Sequence, residues 1–254
     1  MEKLGIIGGL GPAATARLFE RIVEYTQVDR DQDHIDITIL NRPQIPDRTA
    51  YLLGEPGARP FAPAMNQAAH ELEDAGCTVI ATPCNTAHAA HDEIAAGLTR
   101  ARFVNMLTET ARFMARLGCA RVGVLATDGT VQTRVYERTL AGEGIGIVLP
   151  DDASQRAVMS LIYDQVKAGT IPGPEQLEEQ CARLVARGAD GVILGCTELS
   201  VIPCARMIAQ APVVDALDIL AWRCVVECGA PTFDMKTRYD ELAQAAVAAD
   251  GSKE

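Results

Sequence analysis

The sequence has few aromatic residues, only 4% of the chain. Its core must therefore be built from aliphatic residues and alanine, which favours layered helices and sheets over a β-sandwich. It has no run of five or more basic residues, and its net charge is −11. Nucleic acid is thereby excluded as the main partner, because phosphate backbones are held by clustered Lys and Arg. No segment reaches the roughly 18 apolar residues of a membrane span. The opening "MEKLGIIGGLGP" lacks the charged and apolar regions of a signal peptide. A cytoplasmic location is expected, where thiols stay reduced. The eight cysteines then need another explanation than disulfides. No C-x-x-C spacing occurs, which removes zinc ribbons and thioredoxin-like motifs. Cys224 and Cys228 are four apart in "WRCVVEC". They share a helix face, as core or as a metal pair, and core is the usual outcome.

The 254 residues are 48% hydrophobic, enough for one large domain or two small ones. "KLGII", "HIDITIL", "CTVIA", "RVGVL" and "DGVIL" read as short buried strands. Pro12 opens a helix over 12–28. Further helices are expected at 59–75, 86–98, 106–117, 129–142, 153–168 and 174–187. Alternating strands and helices imply βαβ units and a parallel sheet, with function at the carboxyl ends of the strands. Residues 41–58 hold three prolines and two glycines and read as a long functional loop.

The chain also repeats itself. "EKLGIIGGLGPAAT" resembles "ARVGVLATDGTVQT", and "DAGCTVIATPCNTAH" resembles "ARGADGVILGCTELS". Each half carries a cysteine, Cys84 or Cys196, after a hydrophobic strand and before an expected helix. The fold class is therefore α/β: two Rossmann-like domains with parallel sheets, related by approximate two-fold symmetry, with the site in the cleft. The first domain takes residues 1–105 and 212–254, and the second 106–211. "TRYDELAQAAVAA" reads as an added helix and "DGSKE" as a frayed tail.

A cysteine at a helix start feels the positive end of the dipole and free backbone N–H groups, both of which favour thiolate. Each cysteine is followed by threonine or by Asn-Thr, groups able to hold a carboxylate. Two such sulfurs facing one another can remove a proton from one face of a carbon and return one to the other, which inverts a stereocentre. For either cysteine alone, a small core residue is the ordinary reading. Cys77, Cys119, Cys181 and Cys204 are assigned to the core. The matched positions of Cys84 and Cys196 separate that pair from the rest. His88, about one turn beyond Asn85, is read as structural rather than as a Cys–His partner.

"GIIGGLGP", "PQIPDRT", "PCNTAH" and "GCTE" together resemble the aspartate racemase branch of the cofactor-independent aspartate/glutamate racemase superfamily. The likeness runs over roughly residues 3–228. It implies a homodimer that racemises an acidic amino acid with neither pyridoxal phosphate nor metal. It also implies Cys84 and Cys196 as the catalytic thiols. Arg48, with Thr49 beside it in "PDRT", matches the binder of the side-chain carboxylate, and Lys167 an assisting lysine. Asn85, Thr86 and Thr197 match the cradle of the α-carboxylate, and Thr127 and Thr130 are further candidates for it. Dedicated glutamate racemases carry Asp-Ser after the first strand and His after the second Cys-Thr. Here those places hold Gly8-Gly9 and Glu198.

Three rival readings stay open. "GGLGPAA" approaches a dinucleotide fingerprint, although Pro12 sits in its turn and no acidic residue ends the second strand. Maleate isomerases, hydantoin racemases and arylmalonate decarboxylases share the scaffold. An amino-acid-binding protein of the same fold would need neither thiol.

Overall fold

The computed structural model describes residues 1–251. Two sheets form its frame. The first contains β1 (Leu4–Gly8), β2 (Ile37–Asn41), β3 (Val79–Ala81) and β4 (Arg102–Phe103), in the order β2-β1-β3-β4 and all parallel. The second contains β5 (Arg121–Leu125), β6 (Gly146–Val148), β7 (Gly191–Leu194), β8 (Met207–Ile208) and β9 (Ala211–Asp215), in the order β6-β5-β7-β9-β8. Only the short β8 runs antiparallel to its neighbour. The first four places of each order follow one plan, so β3 and β7, which precede the two cysteines, are counterparts. The central strands are fully buried Val, Ile and Leu runs with small residues, the pattern of sheets covered on both faces.

The helices are α1 (Pro12–Tyr25), α2 (Arg48–Leu52), α3 (Ala62–Asp74), α4 (His91–Ala95), α5 (Met106–Arg116), α6 (Asp128–Gln132), α7 (Val135–Gly142), α8 (Asp152–Ser160), α9 (Pro174–Ala186), α10 (Ala216–Glu227) and α11 (Met235–Gly251). One apolar cluster joins the sheets. It runs from Leu4 and Ile6 of β1 through Leu217, Leu220 and Trp222 of α10 to Val122 and Val124 of β5. The far face of the first sheet packs on α3 through Met65, Ala69 and Leu72. The far face of the second packs on α8 and α9 through Val158, Leu177 and Leu184. α10 is apolar nearly all round and correspondingly buried, as a helix between two layers must be.

Several expectations change. The segment 41–58 is not wholly a loop, since α2 starts at Arg48 with Asp47 as its N-cap, accepting from the Ala50 N–H at 2.8 Å. The return to the first unit does not begin at 212, because β9 continues the second sheet to Asp215. The helix expected over 86–98 is a 3-10 turn, Thr86–Ala90, followed by the short α4. The span 129–142 divides into α6 and α7 at Arg134, whose φ is +52°. α8 passes into a π turn, Leu161–Val166, which ends beside Lys167. The added C-terminal helix is present as α11. Of the expected frayed tail, residues 252–254 lie outside the described residues.

Candidate active site

Two loops carry the cysteines into one place. "TPCNT" leaves the carboxyl end of β3 and "GCTEL" leaves that of β7. Thr197 locks them together by donating from Oγ1 to the Pro83 carbonyl at 3.0 Å. Both sulfurs are nearly buried and line the same small chamber with Arg48, Thr49, Asn85, Thr86, Thr127, Lys167 and Thr197. Of the residues singled out in the sequence, only Thr130 lies off its wall. It joins from behind, with Oγ1 2.9 Å from that of Thr86 and 3.1 Å from that of Thr127. Thr86 and Thr127 are 3.1 Å apart, and Thr49 reaches Thr127 at 3.4 Å. Four hydroxyls from α2, the 3-10 turn and the start of α6 thus close the cleft between the units. Gly129 permits the approach, because a Cβ there would lie 3.0 Å from the Thr49 Cα.

The chamber is tight, about 10 Å³, room for about one water. It opens into a cavity of about 470 Å³ whose wall includes Leu10, Pro12, Ala13, Ile45, Val166 and Val201. The Gly-rich loop after β1 therefore borders the entrance. Its Gly9, at φ +95°, has no room for a side chain, since a Cβ would meet the Arg42–Pro43 backbone at 2.5–2.6 Å. That glycine is required by the close approach of the Arg42–Pro43 backbone, which accounts for Gly9 of the "GGLG" pattern without a nucleotide phosphate.

Each thiol has a cation. The Arg48 guanidinium stands beside the Cys84 sulfur, and burial opposes its charge, but Cys84, Asp47 and Glu198 outweigh burial and raise its pKa. The side chain is pinned by the carbonyls of Pro46 at 2.9 Å and of Ile45 and Leu10 at 3.3 Å. Lys167 faces Glu198 and Cys196 and lies 3.9 Å from the Tyr163 ring centroid. Burial again opposes the charge and the Glu198 carboxylate prevails. Two buried donors on the chamber wall, Arg48 Nε and Asn85 Nδ2, have no hydrogen-bond partner among the described residues. The Asn85 carbonyl is occupied by the Tyr136 hydroxyl at 2.6 Å, so its amide group faces away from that bond. Buried donors left this way are costly and point to an acceptor that arrives with a ligand.

The expected thiolate-favouring helix start is absent at Cys196. The turn that follows, Leu199–Val201, is a three-residue 3-10 turn. Its thiol donates to Glu198 Oε2 at 3.0 Å. Burial, the Glu198 charge and that hydrogen bond push the Cys196 thiol well above the ordinary range, against a smaller pull from Lys167. At Cys84 the α-helix is replaced because His88 bonds back. Its backbone N–H goes to Asn85 O at 3.1 Å, a 3-10 step, while its Nδ1 lies 2.9 Å from Cys84 O. His88 Nε2 accepts from the Met106 N–H at 3.2 Å, which leaves the proton on Nδ1. Burial lowers the imidazole pKa to about 4. His88 is thus a neutral brace of the Cys84 backbone.

Glu198 and Asp47 also line the chamber, and neither was singled out as functional in the sequence. The signal for Glu198 was present, two residues after Cys196 at the position where a histidine was missing. Of the remaining cysteines, Cys77, Cys119, Cys181, Cys224 and Cys228 are buried and Cys204 is half-buried. Among the described residues no group of three or more His, Cys, Asp and Glu is disposed to hold a metal. Nor is any helix among them long and apolar enough to cross a membrane.

The Asp/Glu/hydantoin racemase family profile matches residues 7–224. The structure of Picrophilus torridus aspartate racemase is similar at TM-score 0.78 and 30% identity, covering 94% of this chain and 99% of that one. A putative Asp/Glu racemase from Yersinia pestis is similar at TM-score 0.75 and 25% identity, covering 90% and 99%. By sequence, a broad specificity amino-acid racemase of Bacillus subtilis is 27% identical over 224 residues, 86% of this chain and 94% of that protein. The chain belongs to the Asp/Glu/hydantoin racemase family.

Proposed function

We propose that the protein interconverts L- and D-aspartate by two-base proton transfer between Cys84 and Cys196, drawing on no cofactor. One observation carries this reading. The two thiols follow counterpart strands of two sheets and line a single chamber whose wall holds two unpartnered buried donors. A carboxylate supplies the acceptors those donors lack. Asn85 Nδ2, with the hydroxyls of Thr86 and Thr197, takes the α-carboxylate. Arg48 Nε, on a guanidinium already fixed by three carbonyls, takes the side-chain carboxylate. Lys167 on the opposite side offsets the negative charge that grows on Cα as its proton leaves. The Cα–H bond breaks toward one sulfur while the other thiol gives its proton to the opposite face. The chamber is too tight for an amino acid in the closed arrangement, so the threonine cluster must part as substrate enters.

A second reading widens the substrate. The cavity of about 470 Å³ beyond Arg48 has a largely apolar wall, and the Bacillus subtilis relative is a broad specificity racemase. Glutamate or a longer apolar side chain would extend into it.

The test is incubation with L- and D-aspartate in D2O, following chirality and Cα deuterium, with glutamate and methionine in parallel. Deuterium should enter with inversion, and added pyridoxal phosphate or nicotinamide should change nothing. Faster turnover of methionine than of aspartate selects the wider reading. If no α-proton exchanges in any of the three, racemisation is the wrong reaction.

A further inference from the structure

We propose that the polar cavity behind the Cys196 turn is a second binding site, for a free acidic amino acid, and that its occupant steadies Cys196 through Ser200 and Val201. This goes beyond the racemase reading, and none of the residues that would bind the ligand lines the chamber of the two thiols. The cavity measures about 360 Å³ and lies between α1 and the segment that follows Cys196. That volume is in the range of small-molecule sites. Three guanidiniums line it, Arg17 and Arg21 one turn apart on α1 and Arg206 just before β8. Each commits one terminal nitrogen to a carboxylate of the protein, Arg17 to Glu20, Arg21 to Glu24 and Arg206 to Asp218. The other terminal nitrogen of each has no partner among the described residues. Arg21 Nε is buried and stands 3.0 Å from Asp218 Oδ1 without forming a hydrogen bond. Asp215 also lines the cavity and is 3% exposed. Its Oδ1 accepts from Ser200 Oγ at 2.7 Å and from the Leu217 N–H at 2.9 Å, while its Oδ2 accepts from nothing among the described residues. Burial, with Asp218 nearby, lifts the Asp215 pKa to about 6 against the pull of Arg206. At neutral pH it is therefore an anion that a further positive partner would stabilise.

These groups call for both signs of charge in one small molecule. Guanidinium N–H groups take carboxylates in a forked fashion, and the open oxygen of Asp215 takes an ammonium. An amino acid with a second carboxylate engages the arginines and Asp215 together. A simple anion would satisfy the arginines but bring its charge against Asp215, and a simple cation would meet three guanidiniums. The other carboxylates beside these arginines, Glu20, Glu24 and Asp218, are already paired with them. The cavity also shares a wall with the catalytic entrance, because Val201 lines both. Ser200 and Val201 belong to the 3-10 turn, whose Leu199 N–H donates to the Cys196 carbonyl at 3.0 Å. Ser200 is anchored to Asp215 Oδ1, and an ammonium on Oδ2 leaves that anchor in place. A filled cavity therefore limits the movement of the turn that presents Cys196. The loop that carries Cys84 contributes nothing to this wall.

The test is equilibrium dialysis of the full chain against radiolabelled racemic aspartate, so that turnover does not change the ligand. Two aspartates should bind per chain at saturation. Arg48→Ala should weaken one of them, and Arg17→Glu or Asp215→Asn the other, by about tenfold or more. Succinate, which lacks the ammonium, should bind the second site about tenfold more weakly than aspartate. Asp215→Asn keeps an oxygen to cap α10. Should it still fail to fold, Arg17→Glu decides, since Arg17 is part-exposed and paired only with Glu20. A single bound aspartate that Arg48→Ala weakens overturns the proposal, as does a second one indifferent to Arg17→Glu. A second aspartate bound to a protein that racemises nothing leaves the site standing and removes the reaction. Iodoacetamide labelling in the Arg48→Ala background, read peptide by peptide by mass spectrometry, reports the coupling. Aspartate sufficient to fill the second site should slow labelling of Cys196 several-fold and leave that of Cys84 unchanged, and adding Arg17→Glu should abolish the slowing. An unchanged Cys196 rate with the second aspartate bound overturns the coupling.

Discussion

The loop after β3 and the loop after β7 begin as counterparts and end as different environments. Each delivers a cysteine at the carboxyl end of a fully buried strand, and each places a threonine within two residues of it. After that they diverge. Cys84 has a guanidinium beside its sulfur and a neutral histidine bracing its carbonyl. Cys196 has a buried carboxylate accepting from its sulfur and a lysine beyond. A repeated backbone plan therefore supplies matched positions without supplying matched chemistry. At Cys196 the side chain two residues beyond the sulfur is a buried carboxylate that, with burial, pushes the thiol well above the ordinary range, and at Cys84 that position is Thr86, part of the hydroxyl cluster. A racemase must work in both directions, yet nothing requires its two bases to be alike at rest.

The comparison is broken most severely by removing one sulfur at a time. Cys84→Ala and Cys196→Ala should each lower racemisation by at least about 10³-fold, the scale of a lost general acid or base. The remaining thiol still faces one side of Cα. In D2O each variant should therefore exchange the α-proton of one enantiomer without inverting it, and the two variants should choose opposite enantiomers. Chiral chromatography with mass detection reads both quantities together. Either variant racemising at the wild-type rate removes the two-base reading, and both exchanging the same enantiomer removes the opposition of the sulfurs.

The cations give a smaller and graded difference. Arg48 is held by three carbonyls and has one buried N–H to spare, whereas Lys167 rests on a tyrosine ring at the end of a π turn. Arg48→Ala should raise KM for aspartate about 10- to 100-fold, the worth of a charge-assisted hydrogen bond. Arg48→Lys should rescue little, because an ammonium cannot reproduce the fork. Lys167→Ala should act more on kcat than on KM, because its position suits the developing charge. Steady-state constants for the three variants separate these roles. If Arg48→Lys keeps the wild-type KM, the forked recognition is refuted.

How far this was legible depends on range. The strands, the cysteine pair and the Asn and Thr residues that follow it rest on short patterns at the ends of apolar runs, whereas Arg48, Thr49 and Lys167 were offered by the family resemblance and Glu198 was noted only as a departure from it. Helix α2 was hidden because five residues flanked by prolines carry no periodicity, although Asp47 was a usable capping signal. The end of the second sheet was misplaced because "APVVD" reads equally as a return strand and as a continuation. The direction of the Cys196 shift was wrong for a tertiary reason. A helix dipole was assumed from the following residues, and the structure substitutes a 3-10 turn, burial and a carboxylate. Spacing does not reveal which way the Glu198 side chain folds. The hydroxyl cluster was likewise named residue by residue, but its closing of the cleft requires two units to meet.

The smallest effect tests the brace on the Cys84 side through stability. His88 is held neutral by burial, with its pKa lowered to about 4, against about 6.5 in an unfolded chain. Between those values the unfolded state binds the proton and the folded state does not. Stability is therefore fully present above about pH 6.5 and is lost as pH falls toward 4. By pH 5 this one group should cost about 2 kcal/mol. His88→Gln retains a donor for the Cys84 carbonyl and cannot titrate. Unfolding free energies from urea titrations at neutral pH and at pH 5 should fall less for His88→Gln than for wild type, by that difference. Other carboxylates titrate in both proteins and cancel in the comparison. Parallel pH dependences would mean that His88 takes up its proton without disturbing the turn, and the loop that presents Cys84 would then rest on the Thr197–Pro83 bond and the threonine cluster instead.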